Sequence, residues 1–504
     1  MTGALLIVPV VLPLLTAVLL GMLTDRPRAQ LGASLGSGAA LLTAAALLAI
    51  RTTQGEILVT RLGGWAPQVG IVWVADGLAA LMLVFAAVVS LSSTLYGAGS
   101  LRKSRELRYY HPLQQLLLMG VNGSLITGDF FNLFVFFEIM LLASFALITL
   151  GGRAEQLRRG FPYVVINLVS SAVFLVALGV IYGAAGSVNM AELAVRVRGG
   201  HSVSPVFWAG AALMLVVFVV KSALVPVFMW LPDSYPAAPA AINGLFAGLL
   251  TKVGVYTLFR TVPLLGGPAP GYLRTALLAL AAATMLLGVV GALGRSTLRG
   301  ILSFHIVSQV GYMIFGLALL TQLSVAAGLF HTVHNMIAKT ALLFAVGIAE
   351  RVGGSGTLGD VRGLARTHRW LAVGFFLSAM SLAGLPPLSG FWGKLLLVIA
   401  GVRAGAFTTV AIALVVGLFT LASMLKIWNA TFWGKPAPAS AASAPSDRSS
   451  LTATLALSGL TVVMGLLAAP IVTSFERAAA QLLAVTPYVE AVLGAPTMIS
   501  VERR

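Results

Sequence analysis

The sequence predicts an all-α polytopic membrane protein of about fourteen transmembrane helices, two of them broken, arranged as two inverted five-helix repeats. Three observations predict it. The 504 residues are 59% hydrophobic and 9% charged, with a mean hydropathy of +0.98, whereas soluble domains carry about 25% charged residues. Apolar runs long enough to cross a bilayer core, about 20 residues each, recur along the whole chain. Five of the seven lysines, but almost none of the twenty-five arginines, lie well inside those runs, and ionisable residues recur at a near-constant spacing in the two halves.

The runs lie at 4–24, 31–50, 72–97, 112–129, 130–150, 162–183, 205–230, 239–262, 271–293, 299–320, 324–349, 370–402, 405–433 and 451–475. The first has no basic residue before it and no small-residue cleavage site, so it reads as a retained span rather than a signal peptide. They group into an N-terminal three-helix segment (1–111), a first five-helix repeat (112–262), a second repeat (271–433), a linker rich in small residues and proline (434–450), and a C-terminal helix and tail (451–504). The loops on one side hold 17 Lys plus Arg and those on the other hold 9. Basic loops stay cytoplasmic, so both termini are expected outside, in a bacterial plasma membrane. The net charge of +17 is this topology signal, and nucleic-acid binding is rejected. With no cysteine there is no disulfide framework, Fe–S cluster or thiolate metal site. No cofactor is implied. No GxxxxGK[ST] phosphate loop occurs, which argues against ATP-driven pumping.

Five of the seven lysines lie inside spans: Lys221, Lys252, Lys339, Lys394 and Lys426. Of twenty-five arginines, Arg274 and Arg299 stand in the first turn of their runs and only Arg260 lies further in, itself near a helix end. Arg keeps its proton, whereas a buried Lys gives it up readily. Each intramembrane Lys costs about 2.5–3.5 kcal/mol on insertion scales, so charge pairing alone does not account for the choice. Protonatable sites along a path do. In NLFVFFEIMLLASFALITL, Glu138 is the one acid clearly within a span. It needs a partner or a proton, and Lys221 is the candidate partner, in a pair whose charge state follows its geometry. A static ion pair that fixes helix packing is the alternative.

Polar residues form stripes near these groups. His305, Ser308, Gln309 and Tyr312 share one helix face by spacing, as do His331, Asn335 and Lys339, with His334 beside them. Asn167, Ser170 and Ser171 form a smaller patch, and Lys252 and Tyr256 stand at i, i+4. The stripes suit water chains between titratable groups. Interhelical hydrogen bonding is the plainer reading for the Ser, Asn and Tyr positions. His331 and His334 have no cysteine or acid nearby in their helix, so no metal site is expected. Lys426, near Trp428, Phe432 and Trp433, reads as an interfacial lysine that snorkels.

Prolines interrupt two runs, Pro226 after Lys221 and Pro386–Pro387 before Lys394. Paired broken helices in two halves point to a transporter repeat. Lys221 to Lys394 is 173 residues, Glu138 to His305 is 167 and Lys252 to Lys426 is 174. Each pair is five runs apart, and an odd count inverts the second unit in the membrane.

Three stretches carry a resemblance: MGVNGSLITGDFFNLFVFFEIMLLASFALITLGG, WLPDSYPAAPAAINGLFAGLLTKVGVY, and the run from GILSFHIVSQVGYMIFG to LAGLPPLSGFWGKLLL. Over roughly 70–430 the chain resembles the antiporter-like subunits. That superfamily includes large membrane subunits of respiratory complex I, of membrane-bound hydrogenases and of Mrp-type multisubunit Na+/H+ antiporters, and the wording is closest to the Mrp branch. The resemblance implies a fourteen-helix fold with inverted repeats and a hydrophilic axis across the bilayer centre. It implies that Glu138 and Lys221 are the family's charged pair, Lys252 its central lysine, His331 its relay and Lys394 its terminal lysine. It implies other Mrp subunits as partners. The short tail after Glu476 departs from the largest complex I subunit and the large Mrp A subunit, which carry a long lateral helix. The leading expectation is a proton-translocating subunit of a Na+/H+ antiporter, a transporter and not an enzyme. His305, His334, Lys339, Gln309 and Tyr256 are secondary members of the path. The runner-up is a pumping subunit of a redox-driven complex. A scaffold with a vestigial path is the third reading. With Glu138 the only deep acid, Na+ is expected to cross in a partner subunit.

Overall fold

The computed structural model describes residues 2–101, 107–199, 203–266, 271–435 and 447–494. Most of the predicted 434–450 linker and the tail from residue 495 lie outside the described residues, as do three basic residues of the 98–111 loop.

The chain opens with α1 (Thr2–Met22) and α2 (Pro27–Thr53), the latter started by Pro27, whose fixed φ suits a first helical turn. A two-stranded antiparallel hairpin follows, β1 (Leu58–Arg61) with β2 (Val72–Ala75), in the register Leu58 opposite Ala75. The all-α expectation has no place for it. The predicted third run begins at 72, but Val72–Ala75 is strand. α3 (Gly77–Ser100) starts only after Asp76, whose carboxylate caps Ala79 N–H at 2.9 Å. α4 (Leu107–Ile126) and α5 (Phe130–Ile148) form a hairpin in which Asp129 caps the second helix through Asn132 N–H at 2.7 Å. α6 (Ala154–Ala185) is followed by the short α7 (Met190–Arg198).

The seventh run divides. α8 (Pro205–Lys221) stops at Lys221 itself, and α9 (Trp230–Ser234) resumes after an irregular stretch. Next come α10 (Ala240–Leu265), α11 (Gly271–Leu293), α12 (Leu298–Ala318) and α13 (Gln322–Gly353). A short α14 (Leu364–Thr367) leads into the twelfth run, which also divides, into α15 (Arg369–Ala383) and α16 (Ser389–Arg403). α17 (Phe407–Ile427) ends in a π-helical turn, and α18 (Arg448–Leu466) is the last long apolar helix described. The predicted final run reaches 475, but the helix breaks at Leu467. Pro470, in the first turn of α19 (Ala468–Leu483), has no N–H to continue the α18 ladder. α19 and α20 (Val485–Leu493) are short helices with one apolar face each.

The protein is a helical membrane protein. Eleven helices among the described residues are long and apolar enough to cross a membrane. α10, α12 and α13 are enclosed over their whole spans, while α1, α2, α6, α11 and α17 present an outer face. α13 touches α3, α10, α12, α15, α16, α18 and α19, so the centre of the molecule is where the histidine and lysine stripes lie.

Candidate functional site

Both helix breaks put a lysine beside freed backbone. At the first, Lys221 ends α8, and its Nζ donates to Asn167 O at 3.2 Å, Asn167 Oδ1 at 3.4 Å and Ser171 Oγ at 3.2 Å on α6. The backbone groups that the break releases find partners. Trp230 Nε1 donates to Val220 O at 3.1 Å, and Val225 N–H donates to Thr284 Oγ1 at 3.2 Å. Irregular backbone at membrane depth persists only when satisfied in this way. A small cavity of about 10 Å³, the space of one water, touches Lys221, Asn167, Tyr163 and Trp230.

At the second break, Gly384 takes φ +95° and turns the chain out of α15. Lys394, one turn into α16, reaches back to the exposed carbonyls, Leu382 O at 3.0 Å and Ala383 O at 2.9 Å. A cation at a helix C-terminus is the favoured arrangement. The same ammonium sits 5.2 Å from the Tyr312 ring centroid.

Between the breaks runs a row of buried polar groups. Lys252 Nζ donates to Ala247 O at 2.6 Å and Thr251 Oγ1 at 3.3 Å. Lys339 donates to Leu302 O at 3.4 Å. The His331 ring lies 5.2 Å from Tyr312 and 5.7 Å from His334, and neither of its nitrogens has a protein partner. His334 shares a 2.8 Å bond with Ser389, and Ser389 a 3.2 Å bond with Ser381. His305 Nε2 meets Ser423 Oγ, while its Nδ1 and both amide atoms of Gln309 are unpartnered. His331 and His334 lie against Gly393 and Gly390 at the start of α16, Lys394 and His331 both approach the Tyr312 ring, Lys339 bonds α12 one turn before His305, and α10, which carries Lys252, packs on α13. These groups therefore share one enclosed region. Buried polar atoms without partners are costly, and a row of them is a place that water can bridge.

The sequence profile of the family described as "NADH:quinone oxidoreductase/Mrp antiporter, TM" matches residues 127–420. The chain belongs to this family. The D subunit of the Na(+)/H(+) antiporter of Alkalihalophilus pseudofirmus is 41% identical over 489 residues, 97% of this chain and 99% of the relative. A chain in the structure of the Mrp complex from Dietzia sp. DQ12-45-1b is 35% identical, with TM-score 0.92 over 98% of this chain and 99% of that one. A chain of the membrane-bound sulfane sulfur reductase, an archaeal respiratory complex, is 27% identical, with TM-score 0.89 over 97% and 99%. The relatives named as antiporter subunits make this an Mrp-type transporter chain of the D-subunit kind.

Two side chains singled out in the sequence are bonded to backbone carbonyls in this Mrp-type chain. Tyr256 is one. Its hydroxyl donates to Leu125 O and accepts from Arg260 Nη2 at 3.0 Å, because the extra turn beyond Lys252 carries it towards the α3 start. Lys426 is the other. Its ammonium donates to Leu293 O and Arg295 O, both at 2.9 Å, and so closes the C-terminus of α11.

The Glu138–Lys221 pair is not closed in this conformation. Lys221 is held by neutral groups, and Glu138 Oε1 is buried without a partner. Arg260 reads in the sequence as a residue near a helix end, yet it meets Asp76, the cap of α3. They form a two-point ion pair, Nη2 to Oδ1 at 2.7 Å and Nη1 to Oδ2, with the guanidinium 5.4 Å from the Tyr488 ring centroid. The signal for it, the one arginine in α10 and a capping acid before α3, lies 184 residues apart. Towards the other end, the Arg299–Glu350 ion pair ties α12 to α13, and Arg295–Asp233 ties the α11–α12 loop to α9. Among the described residues no three His, Asp or Glu side chains gather as a metal site.

Proposed function

We propose that this chain is the proton-translocating subunit of a multisubunit monovalent cation (Na+)/H+ antiporter, assembled with other Mrp subunits in a bacterial cell membrane. The observation that carries the reading is the bonding of the buried lysines. Lys221, Lys252 and Lys394 are each bonded to neutral oxygens alone, with no carboxylate at ion-pair distance. Such a lysine changes protonation with a small change in its surroundings, as arginine does not. Protons pass among Glu138, Lys221, Lys252, His331 and Lys394, with His305, His334, Lys339 and Gln309 holding the connecting water. Lys221 and Lys394 flank the breaks at Pro226 and at Pro386–Pro387, one before its break and the other after it, in two inverted five-helix repeats within fourteen spans. The basic-loop bias puts both termini outside. Closing the gap between Glu138 and Lys221 is the step that loads or releases a charge. Na+ crosses in a partner subunit, a reading supported by the absence of gathered acids among the described residues.

The likeness to a respiratory sulfane sulfur reductase chain favours the second reading, a pump subunit driven by electron transfer in other chains. One experiment separates them: Na+-dependent ΔpH dissipation in everted vesicles of an antiporter-deficient host that expresses this chain with its neighbouring genes. Lys221→Ala is expected to abolish the response while native gels show an intact complex. Activity retained in Lys221→Ala refutes the path. No Na+ response in the wild type favours the redox-driven reading.

A further inference from the structure

A second group of buried polar atoms lies outside the lysine row, in the N-terminal segment. Helix geometry sorts the faces of α4. Tyr110 and Gln114 turn to α3, where they bond Ser93, and Ser90 with Thr94. Gly120 and Gly123 turn to Met140 and Phe136 of α5, the helix that carries Glu138. His111, Gln115 and Asn122, at i, i+4 and i+11, share the remaining face. Asn122 Nδ2 donates to Pro9 O at 2.7 Å, so this face meets α1.

Three bonds set the register of α1, α2 and α4. Gln30 Nε2 donates both to Leu20 O on α1 (2.8 Å) and to Arg108 O on α4 (3.1 Å), and Thr16 Oγ1 donates to Ser37 Oγ at 2.9 Å. With Pro9 level with Asn122 and Leu20 level with Arg108, Thr16 and Ser37 stand level with residues 112–115 of α4. Ser34, one turn before Ser37, stands level with His111. All of these side chains are under a tenth exposed. Gln30 Oε1, Ser34 Oγ, both nitrogens of His111, Gln115 Oε1 and Asn122 Oδ1 lack any protein partner. They follow one another along a single seam.

Apart from the Tyr110 ring, whose centroid is 5.2 Å from that of the imidazole, the surroundings isolate His111 from titratable groups. α1 carries no ionisable residue, and α2 carries Arg28 and Arg51 only at its ends. Glu138 on α5 and Lys252 and Arg260 on α10 belong to helices that meet other faces of α4. At one mouth of the seam, Arg108 pairs with the exposed Asp25 at 3.4 Å. At the far end the Asn122–Pro9 bond closes it.

We propose that the seam between α1, α2 and α4 is a second, separate proton site, in which water admitted at the Asp25–Arg108 mouth reaches His111 and exchanges a proton with it. The site is a blind branch, since no titratable group follows His111 towards Asn122. Neutral imidazole accepts a proton from the seam water and returns it by the same route.

Two measurements on the assembled complex in vesicles test this. The chain has no cysteine, so Ser34→Cys creates its one thiol. A small cationic methanethiosulfonate is expected to label it at least about tenfold faster than Leu48→Cys, whose position is buried among apolar side chains, because dry packing suppresses thiolate formation. Adding His111→Phe to the Ser34→Cys chain is expected to remove the excess. In the wild type, diethyl pyrocarbonate, read by peptide mass spectrometry, is expected to modify His111 at a rate that climbs with pH as the imidazole loses its proton. Labelling of Ser34→Cys no faster than of Leu48→Cys overturns the proposal. So does a His111 that stays unmodified while His368 reacts, or one whose modification does not change with pH.

Discussion

The buried ion pair between Asp76 and Arg260 makes the sharpest energetic prediction. Removing one member of such a pair strands the other charge and costs about 3–5 kcal/mol. Asp76→Ala also removes the cap on α3 at Ala79, worth about 1 kcal/mol, so its cost is about 4–6 kcal/mol. Arg260→Met leaves Asp76 its cap but no counter-charge, at about 3–5 kcal/mol, while Tyr256 keeps its bond to Leu125 O. The double variant strands nothing. It keeps only the lost cap and some packing, about 1–3 kcal/mol, because two apolar groups in place of a buried pair are close to neutral. The double variant is therefore expected to be more stable than either single one. Thermal unfolding of the purified complex, followed by fluorescence-detected size exclusion, orders the four proteins directly. A double variant at least as unstable as Asp76→Ala alone would rule this account out.

Four further outcomes follow from named contacts. Glu138→Gln is expected to abolish antiport in everted vesicles with the complex assembled, since it keeps the shape and removes the titratable group; unchanged activity would exclude Glu138 from the path. Tyr256→Phe is expected to lose about 1–2 kcal/mol of stability yet leave the pH profile of antiport unmoved, whereas a shifted profile would return Tyr256 to the path. Lys426→Ala uncovers the carbonyls of Leu293 and Arg295 and is expected to cost about 1–2 kcal/mol, read as a lower unfolding midpoint with antiport retained. Gly390→Ala would drive its Cβ into Ser381 O and to 2.9 Å from His334 Nε2. That forces α16 away from α15 at a cost of about 1–3 kcal/mol or more, and normal levels of active complex would contradict the packing described.

Much of the site is legible in the sequence because membrane insertion penalises charge so heavily that each exception stands out. Lys221, Lys252, Lys339 and Lys394 are found from their depth in apolar runs, and the structure brings the last three together with His305, His331 and His334. The two breaks are legible from Pro226 and Pro386–Pro387, and the helices stop within a few residues of them, at Lys221 and Ala383. The hairpin at 58–75 escapes a sequence reading because Val72–Ala75 serves equally well as the head of an apolar helix. His111 escapes it because the fourth apolar run starts at 112, which leaves the histidine in a loop, whereas α4 begins at Leu107 and carries it inside.

That the chain lives in a membrane, roughly where it crosses, and which residue types it keeps at depth all follow from its amino acids read one by one. Transfer free energies act residue by residue and need no knowledge of neighbours. Which of the deep residues face one another is a matter of tertiary packing. Packing assigns Tyr256 to Arg260, Lys426 to the end of α11 and Lys221 to Asn167 and Ser171, and it leaves Glu138 Oε1 without a hydrogen-bond partner. Such choices depend on how helices far apart in the chain rotate and slide until their polar atoms are satisfied, and no local pattern records that register.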